Sequence, residues 1–315
     1  MKPDISVIVP VYNGEEVIDG CLEALLKQEL PQEAYEVIVV DNGSTDMTVE
    51  KVRRYPVRLL EEPLRSSYAA RNTGVRAARG SVFAFTDADC RPYPQWLPAA
   101  LQAIGNGAEC VGGRIEHQVS DLDSPWERYT TLFFFDQRTY VANGWAATAN
   151  LITTRAFFDQ VGLFRIAESG SDIVWGLRAS AKGARWCYSD KATVRHLTRK
   201  GFWAIASTLC RNAMAIGRIE RQRSPYRSFV AYKTLSRRPD PRPFLRLCRT
   251  CVEETHSLRS SAVLLAAWPV LEVIRVWSFY QGWRRGRRQE SAPEAVQELC
   301  EAQRNEAQSV LAKVV

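Results

Sequence analysis

The first ninety residues alternate between short apolar runs and segments in which apolar residues recur at helical spacing. Such alternation is typical of βαβ units, in which strands form one largely parallel sheet and helices cover its faces. Strands are predicted over 5–9, 36–40, 57–60 and 82–85, with helices over 17–26, 46–54 and 66–78. The pattern therefore predicts an α/β domain with a Rossmann-like, mostly parallel sheet flanked by helices.

The predicted strands lead into polar or acidic residues at their carboxyl ends, among them Asn13, Asp41 and Asp87. Open parallel sheets bind ligands at this edge, so these side chains are expected around one crevice. The segment after the first strand, 10–14, lacks the G-x-G-x-x-G fingerprint of dinucleotide-binding folds, and no Walker A lysine loop is present. The sequence therefore argues against both of these phosphate-binding classes.

An acidic signature, Thr86-Asp87-Ala88-Asp89, directly follows the fourth predicted strand. Mg²⁺ and Mn²⁺ prefer oxygen ligands, and one or two carboxylates suffice when phosphates and water complete the coordination shell. The Asp-x-Asp pattern within this signature also occurs in solvated turns and helix caps. Taken alone, it leaves both interpretations open.

Four motifs occur in order along the chain: VPVYN at 9–13, VDNGSTD at 40–46, ARNTG at 70–74 and TDAD at 86–89. Together they resemble the nucleotide-binding half of the family 2 glycosyltransferases, which have the GT-A fold, over residues 4 to about 200. The resemblance implies inverting transfer of a sugar from a nucleotide diphosphate donor, with a UDP-sugar as the first expectation. It also implies Mg²⁺ or Mn²⁺ as cofactor and a saccharide or lipid-linked acceptor.

The resemblance gives each motif a role. It implies nucleotide-sugar contacts from Pro10, Tyr12, Asn13, Asp41, Arg71, Asp87 and Asn150, and metal ligands in Asp89 and His196. In this scheme Asp41 binds the base edge, Arg71 faces the diphosphate and Asp87 reaches the ribose or the metal. The alternatives are a turn cap for Asp41, a solvated helix residue for Arg71 and a structural histidine for His196.

The catalytic base is sought in the segment 162–178. Family members carry a Glu-Asp pair ahead of a helix with an Arg six residues later, and Asp172 and Arg178 keep that spacing. Ser171 stands in place of the usual Glu. The resemblance implies that Asp172 is the general base. Glu168 is the alternative base, and a charge that only stabilises a helix N-terminus is the alternative role for Asp172.

Composition indicates an ordinary globular protein, with 46% hydrophobic and 24% charged residues. The N-terminus passes into an apolar run too short for a secretion signal, so a cytoplasmic location is expected. Eight scattered cysteines do not form a disulfide framework. Cys248 and Cys251 form a CxxC pair, but no second pair of ligands lies at a spacing suited to zinc.

The net charge of +7 is unevenly distributed, because residues 195–288 contain 20 Lys or Arg and only 5 Asp or Glu. Helices are predicted over 202–218, 244–258 and 262–280. We therefore divide the chain into a catalytic domain at 1–200, a basic, aromatic helical extension at 201–288 and a polar C-terminal helix at 289–315.

The extension contains an apolar stretch at 261–271, followed by aromatic residues and the basic cluster 284–288. Its uninterrupted apolar part is about half the roughly 20 residues that span a bilayer. This favours an interfacial helix held to an anionic membrane surface, peripheral on the inner face of the cell membrane. A buried helix with a solvated basic tail is the alternative. No nucleic-acid partner is expected, because no nucleic-acid-binding module accompanies the cluster.

Two other functions fit parts of the pattern. A nucleotide-sugar-binding or scaffold protein of the same fold would explain the missing Glu at Ser171. A sugar-phosphate nucleotidyltransferase would need a Gly-rich, basic activating loop near the N-terminus, and the chain has none. The catalytic interpretation therefore remains the leading one.

Overall fold

A computed structural model describes residues 3–221 and 258–286. Its strands are β1 Ile5–Val11, β2 Tyr35–Asp41, β3 Arg58–Glu61, β4 Val82–Thr86, β5 Cys90–Pro92, β6 Cys110–Gln118, β7 Asn150–Thr154 and β8 Trp186–Leu197. Its helices are α1 Ile18–Leu25, α2 Thr48–Val52, α3 Ser67–Ala77, α4 Trp96–Gly105, α5 Pro125–Phe133, α6 Gln137–Ala142, α7 Arg155–Val161, α8 Ser171–Ala181, α9 Phe202–Arg221 and α10 Leu258–Gly286, with a 3₁₀ turn at Gln32–Ala34.

One eight-stranded sheet has the order β3-β2-β1-β4-β7-β6-β8-β5. Strands β3, β2, β1 and β4 are parallel neighbours, as predicted, and β1 and β2 are buried along their whole length because helices cover both faces. The rest of the sheet is mixed: β7 is antiparallel to both β4 and β6, and β5 is antiparallel to β8. The α/β class is confirmed, with the parallel part concentrated in the N-terminal half.

The short strand β5 follows the acidic signature directly and pairs Cys90 with His196 on β8. Neither β5 nor α4 was predicted, because three prolines interrupt this stretch. Pro98 is nevertheless the third residue of α4, where a first-turn nitrogen has no intrahelical acceptor to lose. Helix α8 begins after Gly170, which occupies the N-cap position with a φ of 82°, and Ser171 is its first residue.

The two described helices of the extension, α9 and α10, pack as part of the fold. Helices α9 and α10 cross at Gly217 and Gly282, where a Cβ on Gly217 would lie 2.2 Å from the carbonyl oxygen of Phe279, and one on Gly282 would lie 2.0 Å from that of Met214. Ile216 of α9 and Phe279 of α10 belong to the same apolar core as β1. Of the helix predicted over 244–258, only residue 258 lies within the described residues, and the polar helix predicted over 289–315 lies outside them.

Helix α10, Leu258–Gly286, extends well beyond the apolar stretch at 261–271. Over Ser261–Arg285 it is long and apolar enough, by length and composition, to cross a bilayer. The uninterrupted apolar stretch at 261–271 is only the first part of this segment, which continues through charged and aromatic residues.

Candidate functional site

The carboxyl ends of β1, β2 and β4 open onto one cleft of about 1650 Å³. Five of the residues expected from sequence line it: Pro10, Tyr12, Arg71, Asp87 and Asp172. Asn13, Asp41, Asp89, Asn150 and His196 do not line it. The cleft continues past Asp172 to helix α5 and to helices α9 and α10, so the extension builds part of its far wall.

Tyr12 presents an exposed ring at one end of the cleft. The guanidinium carbon of Arg65 lies 3.4 Å from the centre of this ring, a cation–π contact. Arg65 also donates a hydrogen bond to the carbonyl of Gly43, in the turn that follows β2. Arg65 and Tyr12 thus form a flat, cationic surface beside the ends of β1 and β2.

Asp41 uses its two carboxylate oxygens differently. Its Oδ2 accepts hydrogen bonds from the backbone N–H groups of Gly43 and Ser44, at 3.1 and 3.0 Å, so it does cap the turn. Its Oδ1 is buried and has no hydrogen-bond partner among the described residues. Asn13 links the end of β1 to the turn after β2. The N–H of Thr45 donates to Oδ1 of Asn13 at 2.8 Å, and the N–H of Asn13 donates to the hydroxyl of Ser44.

The ARNTG motif joins three parts of the site. Arg71 is buried and forms an ion pair with Asp87, so it is committed to this carboxylate and is not a solvated helix residue. Asn72 exchanges two hydrogen bonds with the backbone of Phe164, at 2.8 and 3.0 Å. Gly74 allows α3 to approach β1, since a Cβ there would lie 2.5 Å from Cγ2 of Ile8.

Asp172 is the second residue of α8 and lines the cleft, partly buried. Its Oδ1 accepts a hydrogen bond from the Tyr68 hydroxyl at 3.1 Å and one from the N–H of Ile173 at 2.9 Å. Burial raises the pKa of this carboxyl above its ordinary value, against the opposing effects of the Ile173 N–H, Arg71 and Tyr68. Ser171, which replaces the usual Glu, is buried and donates to the carbonyl of Arg165.

Asp89 and His196 meet beside the cleft, where β5 pairs with β8. Oδ1 of Asp89 lies 3.4 Å from Nε2 of His196 and has no hydrogen-bond partner among the residues described. Nδ1 of His196 lies 2.7 Å from the carbonyl oxygen of Leu197 and must donate to it. In the neutral imidazole, Nε2 therefore directs a lone pair towards the carboxylate. With the Cys90 sulfur, these atoms lie within 4.8 Å of one another.

Asn150 is placed away from the cleft. It is fully buried, accepts a hydrogen bond from the indole N–H of Trp96 and donates to the carbonyls of Arg114 and Ala192, each at 2.8 Å. Its amide is thus occupied by the protein itself. We assign it a structural role at the centre of the sheet, in place of the sugar contact expected from the resemblance.

Residues 6–170 match the family model described as Glycosyl transferase family 2. The chain belongs to this family. Glycosyltransferase AglE of Haloferax volcanii is 38% identical over 190 residues, which cover 58% of this chain and 62% of that protein. The chain thus spans less than two thirds of the length of this curated relative.

Two solved structures share the fold. The mannosyltransferase PcManGT from Pyrobaculum calidifontis, in complex with GDP-Man and Mn²⁺, covers 93% of this chain and 88% of its own, with a TM-score of 0.60 and 21% identity. S. aureus TarS 1-349, in complex with UDP-GlcNAc, covers 92% of each chain with a TM-score of 0.54 and 20% identity. These likenesses confirm the GT-A architecture, including the helical extension that both matches span.

Four residues that line the cleft were not singled out from the sequence: Arg65, Tyr68, Arg199 and Arg211. Tyr68 precedes Arg71 by three positions on one helix, and residues at that spacing share a face, so this signal was present. Arg199 follows His196 by three residues at the end of the last strand. Arg211 carries no local signal, because only the packing of α9 brings it to the cleft.

Proposed function

We propose that the protein transfers a sugar, with inversion, from a nucleotide diphosphate donor to an acceptor hydroxyl. The observation that carries this proposal is the position of Asp172, whose partly buried carboxylate lines the same cleft as Pro10, Tyr12 and Asp87. This position supports the role of Asp172 as the general base, in the same cleft as the residues expected to bind the nucleotide.

Asp41 supports recognition of the nucleobase. Its turn-capping oxygen is used by the protein, while the buried Oδ1 lacks a partner and would lose free energy unless a ligand N–H satisfied it. Uracil and guanine each present a ring N–H to such an acceptor. We take a UDP-sugar as the first donor to test, with the base stacked beside Tyr12 and Arg65.

Asp89 and His196 would hold Mg²⁺ or Mn²⁺. A carboxylate oxygen without a hydrogen bond and an imidazole lone pair face each other at 3.4 Å, an arrangement that a cation would stabilise. The metal, when bound, would neutralise negative charge on the departing diphosphate. Asp87, fixed by Arg71, lies two residues away and reaches the cleft itself, where it can bind the ribose or share the metal.

Asp172 supplies the proton acceptor. As the acceptor oxygen forms its bond to the anomeric carbon, the bond from that carbon to the diphosphate oxygen breaks on the opposite face, which inverts the configuration. Asp172 takes the hydroxyl proton and the nucleoside diphosphate leaves with the electron pair. Tyr68 orients the base by donating to Oδ1, so Oδ2 is left to receive the proton.

Transfer assays test this function. With a UDP-sugar and Mn²⁺, Asp172→Asn is expected to lower kcat by about 100-fold or more, and Asp89→Ala to abolish the response to Mn²⁺. Glu168→Gln tests the alternative base and is expected to retain activity, because Glu168 lines the cleft as an exposed carboxylate without the contacts of Asp172. Unchanged turnover in both Asp variants would refute the assignment.

A non-catalytic nucleotide-sugar-binding protein is the second candidate. The observation that favours it is Ser171, which is buried and bonded to the backbone, so no second carboxylate supports Asp172 from that position. Donor binding measured by calorimetry, without hydrolysis or transfer to any acceptor, would favour this function over the first.

We further propose a role in polysaccharide or glycoconjugate synthesis at the cytoplasmic face of a membrane. Helix α10 exposes an apolar stripe to the outside, at Val263, Val270, Val273, Trp277 and Tyr280. These positions recur at helical spacing, and exposed Arg284 and Arg285 lie at the end of the stripe. Trp, Tyr and Arg in this arrangement suit an anionic lipid surface. Failure of the protein to pellet with anionic liposomes at low salt would contradict this placement.

A further inference from the structure

The cleft continues beyond the space that a donor needs. Ligand pockets commonly measure about 300–1,000 Å³, whereas this cleft measures about 1650 Å³. The additional part lies between helices α5, α9 and α10. Its wall is apolar and aromatic, formed by Leu132, Phe133, Phe134, Leu209 and Trp268.

Two cations, Arg199 and Arg211, also line the cleft. Nε of Arg199 donates to the hydroxyl of Thr208 at 2.7 Å, and Arg211 contacts the same hydroxyl at 3.5 Å. Within the described ranges no carboxylate forms an ion pair with either guanidinium, whereas Arg275, nearby on α10, is paired with Glu272. Burial lowers the pKa of Arg199, and Arg211 lowers it further, although Asp89 and Asp87 oppose them. The two guanidinium groups therefore repel each other, and an anion between them would remove this cost.

Helix α10 connects the wall to the outside of the molecule. Trp268, Glu272 and Arg275 lie on the face that lines the cleft, at spacings of four and three residues. The opposite side carries the exposed stripe that includes Val270, Val273 and Trp277. One helix thus presents aromatic surface to the cleft and apolar surface to the exterior.

We propose that this part of the cleft binds a lipid-linked phosphate, which makes the acceptor a saccharide carried on a lipid phosphate or diphosphate. Arg199 and Arg211 bind the phosphate, the apolar wall binds the first part of the lipid chain, and the saccharide hydroxyl lies at Asp172. This inference rests on the proposed function for its acceptor, but the binding site itself requires no turnover. A free phosphate would use the cations alone, and a neutral detergent would use the wall alone.

Calorimetry with three soluble probes tests the site in the wild-type chain. Dodecyl phosphate, below its micelle concentration, is expected to bind at least about tenfold more tightly than inorganic phosphate or dodecyl maltoside. Binding should persist when the donor site is saturated with UDP and Mn²⁺. Equal affinity for dodecyl phosphate and inorganic phosphate would overturn the proposal, as would displacement by UDP, which would assign the cations to the donor diphosphate.

Two variants separate the anionic and apolar contacts. Arg211→Gln is expected to weaken dodecyl phosphate binding by about tenfold or more, since a charge-assisted contact is lost. Leu132→Asn should weaken it while leaving inorganic phosphate unaffected. The control is Arg218→Gln, two turns further along α9 and outside the cleft lining, with an expected change of less than about twofold. An Arg211→Gln variant that binds dodecyl phosphate as tightly as the wild type would refute the proposal. If the wild type binds dodecyl phosphate but transfers no sugar, the proposed function is wrong and the binding site still stands.

Discussion

The hydroxyl of Tyr68 donates a hydrogen bond to Oδ1 of Asp172 over 3.1 Å, although 104 positions separate the two residues in the chain. Helix α3, which carries Tyr68, also holds Asp87 through Arg71 and the backbone of Phe164 through Asn72. A single helix therefore fixes the position of the expected base relative to the acidic signature.

Removing this hydroxyl should shift the pH dependence of transfer. The bond stabilises the charged carboxylate, so Tyr68→Phe is expected to raise the pKa of Asp172 further above its ordinary value. Because the base must be ionised, the acidic limb of the kcat/KM profile should move to higher pH. A pH series measured for both proteins checks this shift.

The chain offers a matched control for that experiment. Tyr55 donates to Oδ1 of Asp19 at 3.0 Å, far from the cleft lining. Tyr55→Phe should leave the acidic limb where it is in the wild type. If the acidic limb moves equally in both variants, or does not move in Tyr68→Phe, the Tyr68 hydroxyl does not influence the pKa of the base.

Asp172 should reduce the stability of the protein at neutral pH. Its folded-state pKa is raised above the ordinary value of 3.8, mainly by burial. Above pH 3.8 the folded state therefore retains its proton longer than the unfolded state, and stability falls as the pH rises through this window. Asp172→Asn removes the cost, so its Tm at pH 7 should exceed that of the wild type, with a smaller difference at pH 4. A lower Tm for the variant at pH 7 would show that its hydrogen bonds outweigh burial.

Asp41→Asn should weaken donor binding with little effect on folding. Its amide oxygen can still accept from Gly43 and Ser44, while its NH₂ group replaces the oxygen that has no partner. Two donors would then face each other at the base edge, and the Kd for UDP is expected to rise about tenfold. Calorimetry gives the Kd and thermal unfolding gives the control. A Kd equal to the wild type's would exclude Asp41 from base recognition.

His196→Gln should weaken the dependence of donor binding on Mn²⁺. The half-saturating Mn²⁺ concentration for UDP binding is expected to rise about tenfold or more, whereas binding in EDTA should not change. His117, which pairs with His196 in the sheet register, provides the comparison variant His117→Gln. An equal effect of both substitutions would indicate a structural role for the two histidines.

The sequence predicted the parallel half of the fold and the position of its cleft, because β1, β2 and β4 are apolar runs bounded by polar turns. It did not predict the antiparallel insertion of β7 between β4 and β6, since strand order depends on long-range pairing and leaves no local period. Asp87 and Asp172 line the cleft as expected. Asn150 does not, because its hydrogen-bonding capacity is used within the core, and a sequence motif does not reveal which partner a buried amide has.

The crossing of α9 and α10 fixes the spacing of two helices that line the part of the cleft beyond Asp172. At Gly217 and Gly282 the two backbones lie so close that any side chain would collide with a carbonyl oxygen. A substitution at either glycine would push the helices apart and move the cleft wall that includes Trp268. The width of this part of the cleft thus depends on two glycines that do not line it, so a substitution at Gly217 or Gly282 would alter the proposed acceptor site without changing any residue of its lining.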